Sequence, residues 1–205
     1  MLLSAITLVI VPAIYGSLCQ RFTNCDPFVY ASLAKDVMAG KRLYLEAWQD
    51  KPPLTFFFYA LPQLVVPHSY VAIGVFSGLC IAIQGLLIAR EFRRSLPAMT
   101  GCVLFSALFP MTHWDYAWPS TEHFANLFVV GNVLIAFRIV RDSRFTLLQC
   151  FMAGAFACAA FHVRQNLILC GVVPVLAVLL SPRPAAEKGA GAVAYLAGAL
   201  SMWGQ

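Results

Sequence analysis

Charged residues are scarce in this chain, and their scarcity predicts that lipid rather than water covers most of its surface. Only 11% of the 205 residues are Asp, Glu, Lys or Arg, whereas 60% are hydrophobic. A soluble domain uses about a quarter of its residues as charges to cover itself. With a mean hydropathy of +0.77, this chain has too few. The composition therefore indicates an integral membrane protein.

Regular alternation of apolar and polar residues, the pattern of a membrane β-strand, is also lacking. In lipid the backbone must satisfy its own hydrogen bonds, which leaves helices or closed barrels. The apolar runs are long and continuous, so we predict an all-α, polytopic bundle of about seven transmembrane helices. The predicted spans are residues 1–19, 70–89, 96–111, 123–138, 145–162, 166–180 and 190–204.

The seven cysteines lack the spacing of a metal-binding knuckle. Five lie inside apolar runs, where a thiol behaves as a small hydrophobe. Cys19 and Cys25 flank a loop and would pair only in an oxidising compartment. No convincing cleavage site follows the first apolar run, so we interpret it as an uncleaved span. The net charge of +5 indicates topology more than a nucleic-acid partner.

Basic residues are concentrated in three short loops, and these determine the predicted topology. Residues 90–94, 138–144 and 181–188 hold eight of the fourteen Lys and Arg residues. The positive-inside rule places all three loops in the cytoplasm. If the N-terminus is also cytoplasmic, all three loops lie in the cytoplasm only when the apolar run 54–66 does not cross the membrane. We therefore predict a half-buried or re-entrant helix there, on the outer face.

This topology gathers the polar chemistry of the chain on the outer face of what we expect to be a bacterial inner membrane. The outer segments are the first loop, 20–69, the loop 113–122 and the junction 162–166. They contain three of the four histidines, with His123 directly after the second segment, and six of the nine acidic residues.

The first outer loop opens with the pattern of an amphipathic helix of about three turns. Asp26-Pro27 is typical of an N-cap followed by proline at the first helical position. Gly40 is typical of a helix stop. One apolar row contains Val29, Leu33 and Val37, and the adjacent row contains Tyr30, Ala34 and Met38.

An Asp after the first span, a YAxLAxxxxxGxxxY stretch and a KPPL motif together resemble the GT-C superfamily of membrane glycosyltransferases. The likeness is to the protein O-mannosyltransferase and aminoarabinose transferase branch, and it extends more weakly to about residue 180. This chain has Pro27 where the mannosyltransferases often carry a second acid, and it lacks their later spans. We therefore expect one GT-C-like domain, 1–205, corresponding to an N-terminal portion. The matching residues are Asp26, Tyr30, Ala31, Ala34, Gly40, Tyr44, Lys51, Pro52, Pro53 and Leu54.

The resemblance implies transfer of a sugar from a polyprenyl-phosphate donor to a hydroxyl of a lipid, glycan or protein, with inversion. Such chemistry needs a carboxylate to take the acceptor proton and cations to hold the phosphate. It implies that Asp26 is the base, Glu122 the second acid and Lys51 a phosphate ligand. Tyr30 and Tyr44 are further substrate-binding candidates. Plainer interpretations stay open: Asp26 caps a helix, Glu122 complements a helix dipole, and Lys51 extends toward lipid headgroups.

Arg164 and Gln165 form the strongest purely physical signal. An arginine at the centre of a membrane helix costs about 2.5–3.5 kcal/mol on insertion scales. The paired N–H groups of its guanidinium match the spacing of phosphate oxygens. We predict that both residues bind phosphate, with snorkelling as the alternative. His113, Asp115 and His123 are weaker candidates to approach a divalent cation. No other cofactor is indicated.

Two other function classes compete with the glycosyltransferase hypothesis. A transporter usually places ionisable residues in mid-span, and none lies clearly there in this sequence. A non-catalytic or truncated membrane scaffold fits the short chain. Under each hypothesis membrane lipids are expected partners, and a lipid-linked sugar donor is expected only for the enzyme.

Overall fold

The computed structural model describes residues 2–19, with side chains for 7–17, and residues 26–47, 49–91 and 119–203. Every regular element in these ranges is helical, so the all-α prediction is confirmed for them. The chain divides into two compact units, Met1–Leu127 and Phe128–Gln205, which are described separately. The α-helices are α1 (Leu2–Cys19), α2 (Asp26–Met38), α3 (Pro53–Val65), α4 (Tyr70–Glu91), α5 (Thr121–Asp142), α6 (Leu147–Val163), α7 (Val172–Leu180) and α8 (Ala185–Ser201).

Two of the described helices, α4 and α5, are long and apolar enough to cross a membrane. Each has 22 residues, and they cover the predicted spans 70–89 and 123–138. This finding gives weak support for a membrane protein by length and composition, whereas the bundle of about seven spans stays a prediction. The predicted span 96–111 lies outside the described residues.

The predicted span 166–180 is helical, but it is not one continuous α-helix. A 3-10 helix, Gln165–Gly171, precedes the nine residues of α7. Pro174 explains the change, because it has no N–H to donate to the carbonyl group four residues earlier. Tyr195 fixes the junction by donating a hydrogen bond of 3.0 Å to the Gly171 carbonyl.

In the first unit, α1 and α4 approach closely at Gly78. A Cβ atom added there would lie 2.7 Å from Pro12 Cα and 2.9 Å from the carbonyl oxygen of Val11. Val11 and Tyr15 of α1 form a buried cluster with Ile81 and Ala82 of α4. The missing side chain thus lets the two backbones approach, as small residues do between membrane helices.

Helix α2 runs from Asp26 to Met38 and is capped at Gly40, the predicted stop. The Gly40 N–H bonds to the Val37 carbonyl and the Lys41 N–H to the Asp36 carbonyl, each at 3.0 Å. Gly40 has a φ of 92°, so these bonds form a Schellman cap. The apolar face differs from the predicted pair of rows, because Val29 is 48% exposed. The buried stripe is Pro27, Tyr30, Ala31 and Ala34.

Helix α3 covers the apolar run that we predicted to be a half-buried helix. Pro52 precedes it in extended conformation, and Pro53 occupies its first turn. One face buries Phe56 and Tyr59, whereas Phe57 on the other face is 63% exposed. The amide of Gln63 donates to the Ala31 carbonyl of α2 at 3.1 Å. The predicted helix is present with one face buried against the protein, and its half-buried or re-entrant position in a membrane stays a prediction.

In the second unit, α6 begins with a capping box and packs tightly on α8. The hydroxyl of Thr146 accepts from the Gln149 N–H at 3.1 Å, and the Gln149 side chain accepts from the Thr146 N–H at 2.8 Å. A Cβ at Gly154 would overlap the Tyr195 carbonyl, and one at Gly198 would overlap the Phe151 carbonyl. Small residues therefore allow α6 and α8 to pack closely, as they do between membrane helices.

We expect Gly198→Ala to destabilise the chain by about 1–3 kcal/mol, because the added methyl group must displace the α6 backbone. Gly189→Ala in the same helix is the matched control, since no atom lies within 4 Å of its Cβ position. The control should be neutral or stabilising by about 0.5–1 kcal/mol. Unfolding in dodecyl sulfate, followed by circular dichroism, measures both. Equal effects of the two substitutions would contradict the close α6–α8 packing.

If α3 does not cross the membrane, the segments on either side of it must face the same compartment. We expect alkaline phosphatase inserted after Glu46 and after His68 to be active in both cases, because the enzyme matures only on the outer side. An insertion after Ser143, in a basic loop, should be inactive. Activity at only one of the first two sites would mean that α3 spans the membrane.

Candidate functional site

The first unit brings four of the sequence-predicted site residues together where α2 and α3 begin. Asp26 lies exposed in the first turn of α2, where the helix dipole stabilises a carboxylate. The Tyr30 hydroxyl, one turn later, donates to Asp26 Oδ2 at 3.4 Å. Tyr30 is only 5% exposed, so packing holds its ring in place.

Lys51 reaches the same tyrosine from the start of α3. Its Nζ atom lies 5.9 Å from the centroid of the Tyr30 ring, within the range of a cation–π contact. Its distance to the exposed Asp50 carboxylate is 3.9 Å, and a surface pair of this kind contributes little. Tyr30 therefore contacts the candidate base through its hydroxyl and the candidate phosphate ligand through its ring.

Tyr44 holds the backbone of Lys51 in place. Its hydroxyl donates to the Lys51 carbonyl at 2.7 Å. Burial raises the pKa of the Tyr44 phenol above its usual value, which reinforces the protonated form that donates this hydrogen bond. Tyr44 also has a left-handed φ of 68°, which costs a non-glycine residue about 1–2 kcal/mol. Such strain persists where surrounding contacts impose it.

Those contacts come from a short loop, residues 42–47, that forms hydrogen bonds within itself. The Tyr44 N–H bonds to the Ala47 carbonyl at 3.0 Å. The Glu46 side chain accepts from the Arg42 N–H at 2.7 Å. The loop therefore fixes Tyr44, and Tyr44 positions Lys51 beside Tyr30. Glu46 and Asp50 are solvent-exposed loop acids, and the structure gives Glu46 a structural role.

Tyr59 of α3 connects this cluster to the start of α5. Its ring lies 5.6 Å from the Tyr30 ring, and its hydroxyl donates to the Pro119 carbonyl. Glu122, the predicted second acid, follows in the first turn of α5, half-buried. Its carboxylate accepts from the Thr121 hydroxyl at 3.1 Å. Its role as a second acid stays a prediction.

His123, a weak metal candidate, belongs to a buried polar cluster that the sequence analysis missed. Its Nδ1 atom lies 2.7 Å from the Ser77 hydroxyl, and its carbonyl accepts from Gln84 at 2.6 Å. Among the residues that the structure describes, no three His, Cys, Asp or Glu side chains group as metal ligands. His113 and Asp115 lie outside those residues. In the sequence, the polar residues Ser77 and Gln84 within the apolar run of α4 could have indicated this buried polar cluster.

Arg164 and Gln165 belong to the second unit, at the C-terminal end of α6. The Arg164 N–H closes that helix on the Ala160 carbonyl at 2.8 Å. Its Nε atom donates to the Asn166 side chain at 3.1 Å. Gln165 is exposed and begins the 3-10 helix. Asn166 therefore orients the guanidinium group, and phosphate binding at this junction stays a prediction.

We expect Tyr44→Phe to loosen the loop that carries Lys51, because the carbonyl of Lys51 loses its hydrogen-bond donor. The cost should be about 0.5–1.5 kcal/mol. Backbone amides of residues 43–51 should exchange faster with deuterium in lipid nanodiscs. Tyr70→Phe is the control, because Tyr70 is exposed in the same unit and contacts Phe28 through its ring. Unchanged exchange in Tyr44→Phe would argue against the positioning role.

The site is defined by an exposed carboxylate, a half-buried lysine and a buried tyrosine that contacts both. Its residues fall within the motif that carries the sequence resemblance, at the starts of α2 and α3. Comparison of the chain with protein-family models, curated proteins and solved structures finds no match.

Proposed function

We propose that this chain is an integral-membrane glycosyltransferase, or its N-terminal portion, that uses a polyprenyl-phosphate sugar as donor. The observation that supports the proposal is the double contact of Tyr30 with Asp26 and Lys51. These two residues are 25 positions apart in the sequence, and both belong to the resembling motif. The donor, a membrane lipid carrier and an unidentified acceptor would be the partners.

In the proposed reaction, Asp26 takes the proton from the acceptor hydroxyl. The hydroxyl oxygen then forms a bond to the anomeric carbon while the bond from that carbon to the phosphate oxygen breaks. Direct displacement inverts the anomeric centre, and the lipid phosphate leaves with the electron pair. Asp26 is suited to proton acceptance because it is exposed and oriented by the Tyr30 hydroxyl.

Lys51 would stabilise the negative charge that develops on the departing phosphate. Its ammonium group lies near the Tyr30 ring, and its ion pair with the exposed Asp50 carboxylate is long, at 3.9 Å. The weak pair with Asp50 would therefore offer little competition to an anionic ligand that binds Lys51. Glu122 is proposed as the second acid and Tyr44 as a further substrate contact. Arg164 and Gln165, in the second unit, are proposed separately as phosphate ligands.

A non-catalytic membrane scaffold and a small-solute transporter are the alternative functions. Asp26 would then act only as the negatively charged start of α2, and Lys51 as an interfacial lysine. Neither alternative requires Tyr30 to contact both groups, which is why we favour the enzyme.

We expect Asp26→Asn to lower sugar transfer by about 10²–10⁴-fold, the range for loss of a general base. The assay uses the full chain in lipid with radiolabelled polyprenyl-phosphate mannose and polyprenyl-phosphate aminoarabinose, and it follows transfer or slow sugar release. Asp36→Asn is the matched control, because Asp36 lies on the same helix but pairs with Lys41 at 2.9 Å. It should keep wild-type turnover.

Each outcome of this assay distinguishes between the candidate functions. Equal turnover in wild type and Asp26→Asn would show that Asp26 is not the base. Donor binding without turnover in either form would mean that the chain contains the donor site but lacks part of the catalytic machinery. Failure to bind any donor would favour the scaffold or transporter.

A further inference from the structure

The second unit contains an apolar groove that the proposed reaction does not use. It is small and partly open to the surface, and its accessible lining is apolar. Gly191 contributes to this space, because a Cβ there would lie 2.9 Å from the Phe145 ring. A groove without polar lining cannot orient a polar solute, so it suits a hydrocarbon chain. The lining includes Ile139, Cys150, Ala153, Pro174, Val178 and Tyr195.

Two basic loops meet at one end of this unit. Arg183, between α7 and α8, donates through Nε to the carbonyl of Ser143, between α5 and α6, at 3.4 Å. The two loops and the helix ends beside them contain five basic and two acidic residues, which leaves an excess of positive charge. The basic residues are Arg138, Arg141, Arg144, Arg183 and Lys188, and the acidic ones are Asp142 and Glu187.

The acids neutralise two of these cations only partly. Arg141 pairs with Asp142 at 2.8 Å, and Arg183 pairs with Glu187 at 3.3 Å, both at the surface. Exposed pairs of this kind are weak, so they leave room for a phosphate group to bind at this end.

Lys188 connects the basic end to the groove. Its ammonium group donates to the Leu179 carbonyl at 2.8 Å, and the Leu179 side chain lines the groove. Along α8, Lys188 precedes Gly191 and Ala192 by about one turn, so the three residues share a helix face. Gly191 and Ala192 both line the groove. A cation therefore lies where a hydrocarbon chain would leave the groove.

We propose that this groove binds one acyl chain of an anionic phospholipid, with the phosphate of its headgroup against Lys188 and the adjacent arginines. The groove supplies contacts to the chain, and the excess positive charge discriminates against zwitterionic headgroups. Basic pockets between membrane helices on the cytoplasmic side recognise anionic lipids in this way. This site uses none of the residues assigned to sugar transfer.

The test is native mass spectrometry of the full chain in mild detergent with equal amounts of palmitoyl-oleoyl phosphatidylglycerol and phosphatidylcholine. We expect preferential retention of phosphatidylglycerol. Lys188→Gln should lower that preference about fivefold, the effect of one lysine near an anionic surface, and Lys188→Arg should restore it. Ala192→Trp should reduce retention of both lipids, because the indole occupies the groove.

Matched controls separate this site from general lipid adhesion. Val193→Trp places the same side chain on the neighbouring position, which is 67% exposed and does not line the groove. Lys35→Gln removes one exposed lysine from α2 in the other unit. Both controls should bind lipid as the wild type does. Equal retention of the two lipids, or equal losses in the controls, would overturn the proposal. If Ala192→Trp fails to fold, the comparison of Lys188→Gln with Lys188→Arg still tests the proposal.

Discussion

The structure depends on one constraint, which is that apolar segments shielded from water must satisfy their own backbone hydrogen bonds, and in the described residues helices do so. Helix surfaces that are largely apolar then pack against each other. Where helices meet within a unit, glycines allow the backbones to approach, at Gly78 in the first unit and at Gly154 and Gly198 in the second. The same constraint confines most ionisable groups to helix ends and loops, since a charge within a span is costly.

The candidate site follows from that confinement. Asp26 begins α2, Lys51 precedes α3, and a loop with a strained tyrosine connects the two helices. The buried residues Tyr30 and Tyr59 give these termini a rigid support that the loop alone would lack. Tyrosines can therefore position polar groups at the surface of an apolar protein, because the ring is packed while the hydroxyl still forms a hydrogen bond.

Some features could be predicted from the sequence because they depend on local chemistry. Gly40 stops α2 because only a residue without a Cβ readily adopts its φ, and the prolines at 52 and 53 mark the start of α3. Other features depend on which neighbour is present. The buried face of α2 includes Pro27 and Ala31, which periodicity alone did not select, and the contact of Lys51 with Tyr30 requires the fold of the intervening loop. Likewise, the partners of His123 lie on α4, far along the chain.

Basic residues near membrane helices have two roles, orientation of the chain and recognition of lipids, and the net charge alone does not distinguish them. Arg138, Arg141, Arg144, Arg183 and Lys188 together orient a chain through their number, whatever their exact contacts. Lipid recognition depends instead on position, because only a cation beside an apolar groove can hold a headgroup whose chain is already bound. Lys188 meets this condition through its bond to the Leu179 carbonyl. An exposed arginine such as Arg144 contributes to the general field, which salt screens over about 8–10 Å. Removing a single well-placed lysine should therefore alter lipid preference while leaving the orientation of the chain to the remaining basic residues.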